Sequence, residues 1–410
     1  MLVVGAGPAG STAAASLARA GHRTAILEEH ARVGLPVQCA GLVSRRVLDL
    51  AGSDRFVRRP VRGATVFGPG LRPFGFRADE PRAYVIDRAG LDQYLAERAT
   101  AAGADVRAAC RFDGLVRREP DGVTVRVTRA DGTPERVTAR LVIGADGVAS
   151  AVARAFRLRR PVEILPAFEA EFPTSPGDPE SVEVYLGRRF APGLFGWWIP
   201  DGSGGARVGL AADADGTPAR SYFERLLEHL ARRFGAPLTN PTAYLVSGIP
   251  IGTVPKISGD RVLLVGDAAA QVKPLSGGGI FTGMRAAEIA GGVADGALRA
   301  DDLSAARLSQ YDAGWRAEFH EEFRRALYLR RLFARLSDPE LDAVVDALGR
   351  GSLAPTVVAF GDIDFPTHVA RELLGRSPGL VRLLPKAFGA WVTSSGDYPV
   401  PSVDPGPRLK

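Results

Sequence analysis

The sequence predicts an α/β fold in three parts: a discontinuous Rossmann-type domain, an antiparallel β-sheet domain set into it, and a helical C-terminal region. Three observations carry this expectation. The chain opens on a short apolar strand, Met1-Leu2-Val3-Val4, that runs into Gly5-Ala6-Gly7-Pro8-Ala9-Gly10 and an alanine-rich helix. Far along the chain a second apolar strand, Val262-Leu263-Leu264-Val265, runs into Gly266-Asp267 and then Gly277-Gly278-Gly279. Between the two lie short runs rich in aromatic and β-branched residues, the pattern of half-buried strands.

The first glycine unit has the context that gives such a spacing meaning: strand before, helix after. Gly5 permits the tight turn, Gly7 lets backbone approach a pyrophosphate, and Gly10 lets helix pack on strand. The helix amino terminus adds free N–H groups and a positive dipole end. A second strand over 24–27 ends at Glu28, where a carboxylate accepts adenosine ribose hydroxyls. Glu29 is the alternative, and the strand end favours Glu28. The first strand is short enough to predict a native start upstream of Met1. Paired with the second glycine unit, this segment predicts a site for both ends of one flavin dinucleotide.

Further along, Tyr84-Val85-Ile86-Asp87-Arg88 leads into a helix over 91–102, with strands near 104–118 and 122–128 and a hairpin at Asp131-Gly132. Leu141-Val142-Ile143 then enters Gly144-Ala145-Asp146-Gly147. The nucleotide-binding domain is therefore assigned to 1–60, 84–155 and 256–300. The sheet domain takes 61–83 and 156–255, with strands at 163–173, 181–187, 194–200, 206–212 and 243–251 and an amphipathic helix at 218–234. Residues 301–410 read as helical, with breaks at 349–351 and around Pro366. The stretch 378–391 is apolar with Arg382 and Lys386, and reads either as an amphipathic helix on a membrane surface or as a cap on the core.

Composition narrows the class. The chain has 410 residues, 46% hydrophobic and 24% charged, the balance of a globular protein with a large core. The net charge of +6 comes from arginine scattered along the whole chain, while lysine stands only at 256, 273, 386 and 410. Scattered arginine gives no nucleic-acid footprint. Two cysteines, Cys39 and Cys110, and five histidines form no disulfide or metal-ligand spacing. No apolar run is long enough to span a membrane and no cationic leader precedes the fingerprint, so the expected location is cytoplasmic, with peripheral membrane contact open.

Four stretches carry a resemblance. They are the fingerprint with Glu28, the loop Gly34-Leu35-Pro36-Val37-Gln38-Cys39-Ala40-Gly41-Leu42-Val43-Ser44, the segment Phe195-Gly196-Trp197-Trp198-Ile199-Pro200 with Val208-Gly209, and Gly266-Asp267 through Ile280. In these the chain resembles the geranylgeranyl reductase family of FAD-dependent oxidoreductases, within the para-hydroxybenzoate hydroxylase-like superfamily. Ile199 and Asp201 depart from the family's aromatic segment, which usually has Phe and often Lys there. Tyr311, Trp315, Glu321 and the segment Gly361-Asp362-Ile363-Asp364-Phe365-Pro366 also look familial.

The resemblance implies a set of roles. Ala9 and Glu28 would contact the adenosine half of FAD, with Gly5, Gly7 and Gly10 forming the turn. Cys39, Ala40, Gly41 and Arg88 would lie near the ring or its linker. Asp267 would meet the ribityl chain, and Gly279 and Ile280 the anionic N1–C2 edge of the reduced ring. Phe195, Trp197 and Trp198 would line the substrate cavity, although a place in the sheet core suits one of the two tryptophans. Cys39 is the implied catalytic candidate, with packing as its plain alternative. The implied reaction saturates an isoprenoid double bond: hydride from reduced flavin to one carbon, a proton to the other, and electrons from an external donor such as NAD(P)H or a ferredoxin-like protein. The same superfamily holds aromatic monooxygenases, halogenases that depend on an amino-terminal lysine this chain lacks, and non-redox cyclases.

Overall fold

The computed structural model describes residues 1–161, 163–213, 216–235, 237–350, 353–377 and 380. The stretch 378–391, apart from Leu380, lies outside them.

Leu2–Val4 is an interior strand of a six-stranded sheet, parallel to Ala25–Leu27 on one side and Val142–Gly144 on the other. Val262–Leu264 extends the sheet in parallel beyond Val142–Gly144, so the two glycine units leave strands one apart at the same edge. Asp105–Arg107 closes one end and the antiparallel Ser258–Gly259 the other. Helix Pro8–Arg19 packs against both Arg88–Ala101 and Ile280–Arg299. Its alanines allow that close approach, and Ala13, Ala14 and Leu17 are fully buried. A three-stranded meander, Arg111–Glu119, Gly122–Thr128 and Pro134–Ala139, buries Val123, Val125 and Val127 in the same core. The three valines stand at every second position of their strand.

The second sheet has seven strands in the order Ala243–Ile251, Glu163–Phe172, Ala206–Ala211, Phe195–Pro200, Ser181–Tyr185, Gly63–Phe67, Pro73–Arg77. All neighbours are antiparallel except Ser181–Tyr185 with Gly63–Phe67. One face carries Ala170, Phe172, Trp198, Val208 and Leu210 against helix Ala219–Phe234. The other carries Leu165, Ala167 and Trp197. A small sheet of Leu42–Val43, Ala83–Ile86 and Val57–Val61 was not foreseen from the sequence.

The C-terminal region is helical at Ala305–Arg335, Asp338–Arg350, Ala354–Phe360 and Pro366–Arg376. The sequence reading placed no break at 336–337. Pro339 explains it, because proline is tolerated in a first helical turn but not in a helix interior. The long helix ties the two sheets together. Tyr311 donates to Leu264 O at 2.9 Å on the parallel sheet, while Leu327 joins the cluster on the open face of the antiparallel one. Among the described residues no single helix is long and apolar enough to cross a membrane.

Candidate active site

A cavity of about 690 Å³ lies between the two sheets. From the parallel-sheet side it is lined by Gly7, Ala9, Gly147, Asp267, Gly279 and Ile280, and from the loop after Glu28 by Cys39, Ala40 and Gly41. Arg88 borders it too. Phe195, Trp197, Phe168, Leu194, Ile199 and Ile249 make the opposite apolar wall. Residues distant in sequence thus meet because both glycine turns sit at the same edge of one sheet.

Each turn is shaped for a ligand that approaches backbone. Gly10 is needed for close approach, since a Cβ there would stand 2.0 Å from Gly5 O. Gly7 is different: nothing lies within 4 Å of where its Cβ would be, and it faces the cavity. It caps helix Pro8–Arg19 with extended backbone and no side-chain acceptor, leaving the first N–H groups open. Gly279 caps Ile280–Arg299 in the same uncapped way. The turn that bears Asp267 is held from behind. Gln271 Oε1 accepts from Gly266 N at 2.7 Å, and Gln271 Nε2 donates to the Tyr311 hydroxyl at 2.7 Å.

FAD is the group these motifs imply, and the residues fit it. The open space at Gly7, two uncapped helix amino termini and a cavity-lining carboxylate match a pyrophosphate, an anionic ring edge and a polyol chain. Glu28 is buried behind the first turn. Its Oε2 accepts from Ala6 N at 2.9 Å and its Oε1 from His30 N at 3.0 Å. Glu29 is exposed. Gly5, Gly10 and Glu28 are not among the cavity-lining residues. Desolvation pushes Asp267 up to about 6, with the Arg88 charge opposing it. Arg88 itself pairs with Asp92, one turn along its helix. Burial disfavours the Arg88 cation, but Asp92 and Cys39 together hold its pKa above the ordinary value.

Cys39 is half-buried and its Sγ accepts from Gly41 N at 3.4 Å. Trp198 is a correction to the sequence reading. It is only 2% exposed and packs on Phe234 with ring centroids 4.8 Å apart, on the helix side of the sheet. Successive strand residues point to opposite faces, so Phe195 and Trp197 can border the cavity only if Trp198 does not. Asp146 turns inward as a brace: it accepts from Ser150 Oγ at 2.7 Å and from Val152 N at 3.0 Å.

Lys273 and Glu169 are among the cavity residues that escaped sequence reasoning. Lys273 donates to Asp364 at 2.7 Å and to Ile363 O at 2.8 Å, and Arg46 holds Asp362 at 2.8 Å, which fastens the 361–365 loop over the cavity. Glu169 is buried and accepts from Trp197 Nε1 at 2.7 Å. Desolvation pushes it up to about 7, against Trp197 and Arg207 and helped by Glu171. The strand carries three acids, Glu163, Glu169 and Glu171, and its sequence alone does not mark which of them is buried.

Comparisons with known proteins agree with this geometry. A model of an FAD binding domain matches residues 1–292. Digeranylgeranylglycerophospholipid reductase 2 of Methanopyrus kandleri is 34% identical over 393 residues, covering 93% of this chain and 97% of that one. The protein of the same name from Methanothermobacter thermautotrophicus is 37% identical over 362 residues, covering 85% and 91%. Among solved structures, a geranylgeranyl bacteriochlorophyll reductase-like protein from Thermoplasma acidophilum superposes with a TM-score of 0.79 at 27% identity, covering 92% of this chain and 98% of that one. The flavin-dependent halogenase CmlS shares the fold alone, with a TM-score of 0.67 at 21% identity, covering 93% and 76%. The chain belongs to the geranylgeranyl reductase family of FAD-dependent oxidoreductases.

Proposed function

We propose that this protein saturates carbon–carbon double bonds in a long isoprenoid chain carried on a polar headgroup, as the relatives' names describe for digeranylgeranylglycerophospholipid. The observation that carries the reading is one continuous cavity in which a glycine-built nucleotide face and an apolar aromatic sheet face meet. An unactivated alkene is a poor hydride acceptor, so rate depends on holding it in attack geometry and on stabilising the charge that develops. When bound, FAD supplies the two-electron hydride chemistry that no side chain offers.

The chain's own residues do the rest. Gly7 and the adjoining helix amino terminus would hold the pyrophosphate, Asp267 a ribityl hydroxyl, and the N–H groups at Gly279 and Ile280 the polar edge of the ring. Phe195, Trp197, Leu194 and Ile249 would bind the hydrocarbon chain and exclude water from it. The electron donor we infer is external, NAD(P)H or a ferredoxin-like protein, because the sequence carries a single nucleotide fingerprint.

The edge strand Ala243–Ile251 supports a peripheral membrane contact. Tyr244 and Val246 are 63% and 68% exposed, while Leu245, Ser247 and Ile249 of the same strand line the cavity. A greasy rim beside a lipid-binding cavity suits a substrate drawn from a bilayer.

The test is anaerobic. FAD-loaded protein reduced with dithionite and mixed with geranylgeranyl diphosphate or a digeranylgeranylglycerophospholipid should return to the oxidised flavin spectrum. The product should gain hydrogens in pairs by mass spectrometry. An unaltered chain, or oxygen gained under air, would overturn the reading.

A further inference from the structure

Glu169 stands midway along the strand Glu163–Phe172 and is 4% exposed. Its setting is built by cross-strand register. Glu169 pairs with Gly209 on the next strand, and Gly209 pairs with Trp197 on the one beyond. A Cβ at Gly209 would come within 2.6 Å of the Trp197 indole. The bare glycine therefore lets the ring lie across it and its Nε1–H reach Glu169 Oε2. Oε1 is left buried and without a hydrogen-bond partner, on a residue that lines the cavity. A buried carboxyl oxygen kept unsatisfied lowers stability, so it points to whatever fills the cavity.

Burial favours the protonated form of this carboxyl, and the nearby cations are engaged elsewhere. Arg207, on the adjacent strand, is taken up by Glu171 Oε1 at 3.1 Å and by the carbonyl oxygens of Ala40 and Ile86. On the other side, Ala243–Ile251 brings only Tyr244, whose ring packs on Phe168. Helix Ala305–Arg335 brings Arg330, paired with Glu163 and Asp213. Across the cavity stand Cys39, Arg88, Asp267 and Lys273, and Lys273 is bound to Asp364. Arg62, Arg82 and Glu183 border it beyond Trp197. Among the described residues none of these cations forms an ion pair with Glu169. A buried carboxyl without a direct ion pair favours its neutral form, here against the more distant charge of Arg207.

We propose that Glu169 is a catalytic acid, giving the proton on Oε1 to the alkene carbon that does not receive the hydride. This rests on the reductase reading above. The double bond takes a hydride, with its two electrons, from the reduced flavin at one carbon and the Glu169 proton at the other. The π bond, the O–H bond and the donor's bond to the hydride break, two C–H bonds form, the donor is oxidised by two electrons, and Glu169 is left as a carboxylate that solvent reprotonates. The Trp197 N–H stabilises that carboxylate as it appears, so one residue both walls the hydrocarbon chain and tunes the acid.

The test uses FAD-loaded enzyme, reduced anaerobically with dithionite and mixed with geranylgeranyl diphosphate. Glu169→Gln should retain FAD and its reduced spectrum yet lose about 10²–10⁴-fold in the rate of flavin reoxidation. The wild-type rate should fall about tenfold per pH unit above neutrality, and the variant's residual rate should lack that limb. Glu169→Asp, which keeps the acid on a shorter stem, should be slower but retain the limb. Apart from turnover, the infrared difference between wild type and Glu169→Gln should contain a protonated-carboxyl band that fades as pH rises through neutrality. A Glu169→Gln enzyme with the wild-type rate and limb, or a holoenzyme without that band below neutrality, overturns the assignment. A wild type that leaves the prenyl chain unreduced overturns the reductase reading itself, and the acid's role with it.

Discussion

The two walls of the cavity are built from different materials. The parallel-sheet wall offers backbone: glycines, uncapped helix ends and Asp267. The antiparallel wall offers side chains, with Phe195, Trp197 and Glu169 projecting from its strands. A backbone wall can cradle a cofactor of fixed shape, because N–H groups at a helix end cannot move away from it. A side-chain wall can be altered residue by residue without disturbing the sheet, which suits it to substrate choice and proton transfer.

The comparison is broken most severely on the sheet side, at the tryptophan that turns away from the cavity. Trp198→Ala empties a buried site against Phe234, Leu226 and Leu230, and should cost about 4 kcal/mol of stability. The melting temperature should fall steeply while the folded fraction still takes up FAD. A stable Trp198→Ala protein with weakened substrate binding would place this residue on the cavity side after all.

On the nucleotide side, two glycines of the same turn should behave in opposite ways, since one meets protein and the other meets open space. Gly10→Ala drives a Cβ into Gly5 O and should cost about 3 kcal/mol, read as lost stability with or without cofactor. Gly7→Ala meets no protein atom, so the apoprotein should melt as wild type does. Its FAD affinity should nevertheless fall by about 100-fold, roughly 2.7 kcal/mol, measured by flavin titration of the apoprotein. Equal loss of apoprotein stability in both variants would remove the distinction between a packing glycine and a ligand-facing one.

That contrast also explains what was legible in the sequence. Gly5, Gly7, Gly10 and Gly266-Asp267 could be read because a turn against a helix end admits so few residue types that the pattern itself is informative. The sheet strands were legible by their aromatic and β-branched content, and the helix 218–234 by its apolar stripe. The face on which Trp197 or Trp198 lies was not, because it depends on a register that one strand does not specify. Glu169 was hidden for a related reason. Its meaning comes from Gly209 and Trp197 on two other strands, and neither neighbour is near it in the chain. Lys273 likewise gains its place from Asp364, ninety-one residues on.

The same acid gives the sheet wall a pH dependence, and Asp267, raised from 3.8 to about 6, gives the nucleotide wall one of similar size at lower pH. Glu169 rises from an ordinary 4.5 to about 7 on folding, so between those values the native state holds a proton that the unfolded chain has lost. Stability from this group is therefore complete below about pH 4.5 and declines as pH rises through about 7, by on the order of 3 kcal/mol. Urea melts of wild type and Glu169→Gln at equal FAD saturation should show the wild type losing stability relative to the variant as pH is raised from about 4.5 to about 7 and levelling off above that. Parallel curves would mean that Glu169 is not protonated in the folded protein.

The mildest change asks whether the two parts of the sheet wall act together. Trp197→Phe keeps an aromatic ring beside the cavity and removes, with part of the indole bicycle, the N–H that donates to Glu169 Oε2. Loss of one buried hydrogen bond should cost about 1 kcal/mol, a modest shift in the melting curve. The more telling effect is on the acid. Because that N–H stabilises the charged form, removing it should move the Glu169 titration upward, and the alkaline limb of the reductase rate should move with it. A limb that stays in place while stability falls would separate the ring from the acid, leaving Trp197 as a surface for the hydrocarbon chain and nothing more.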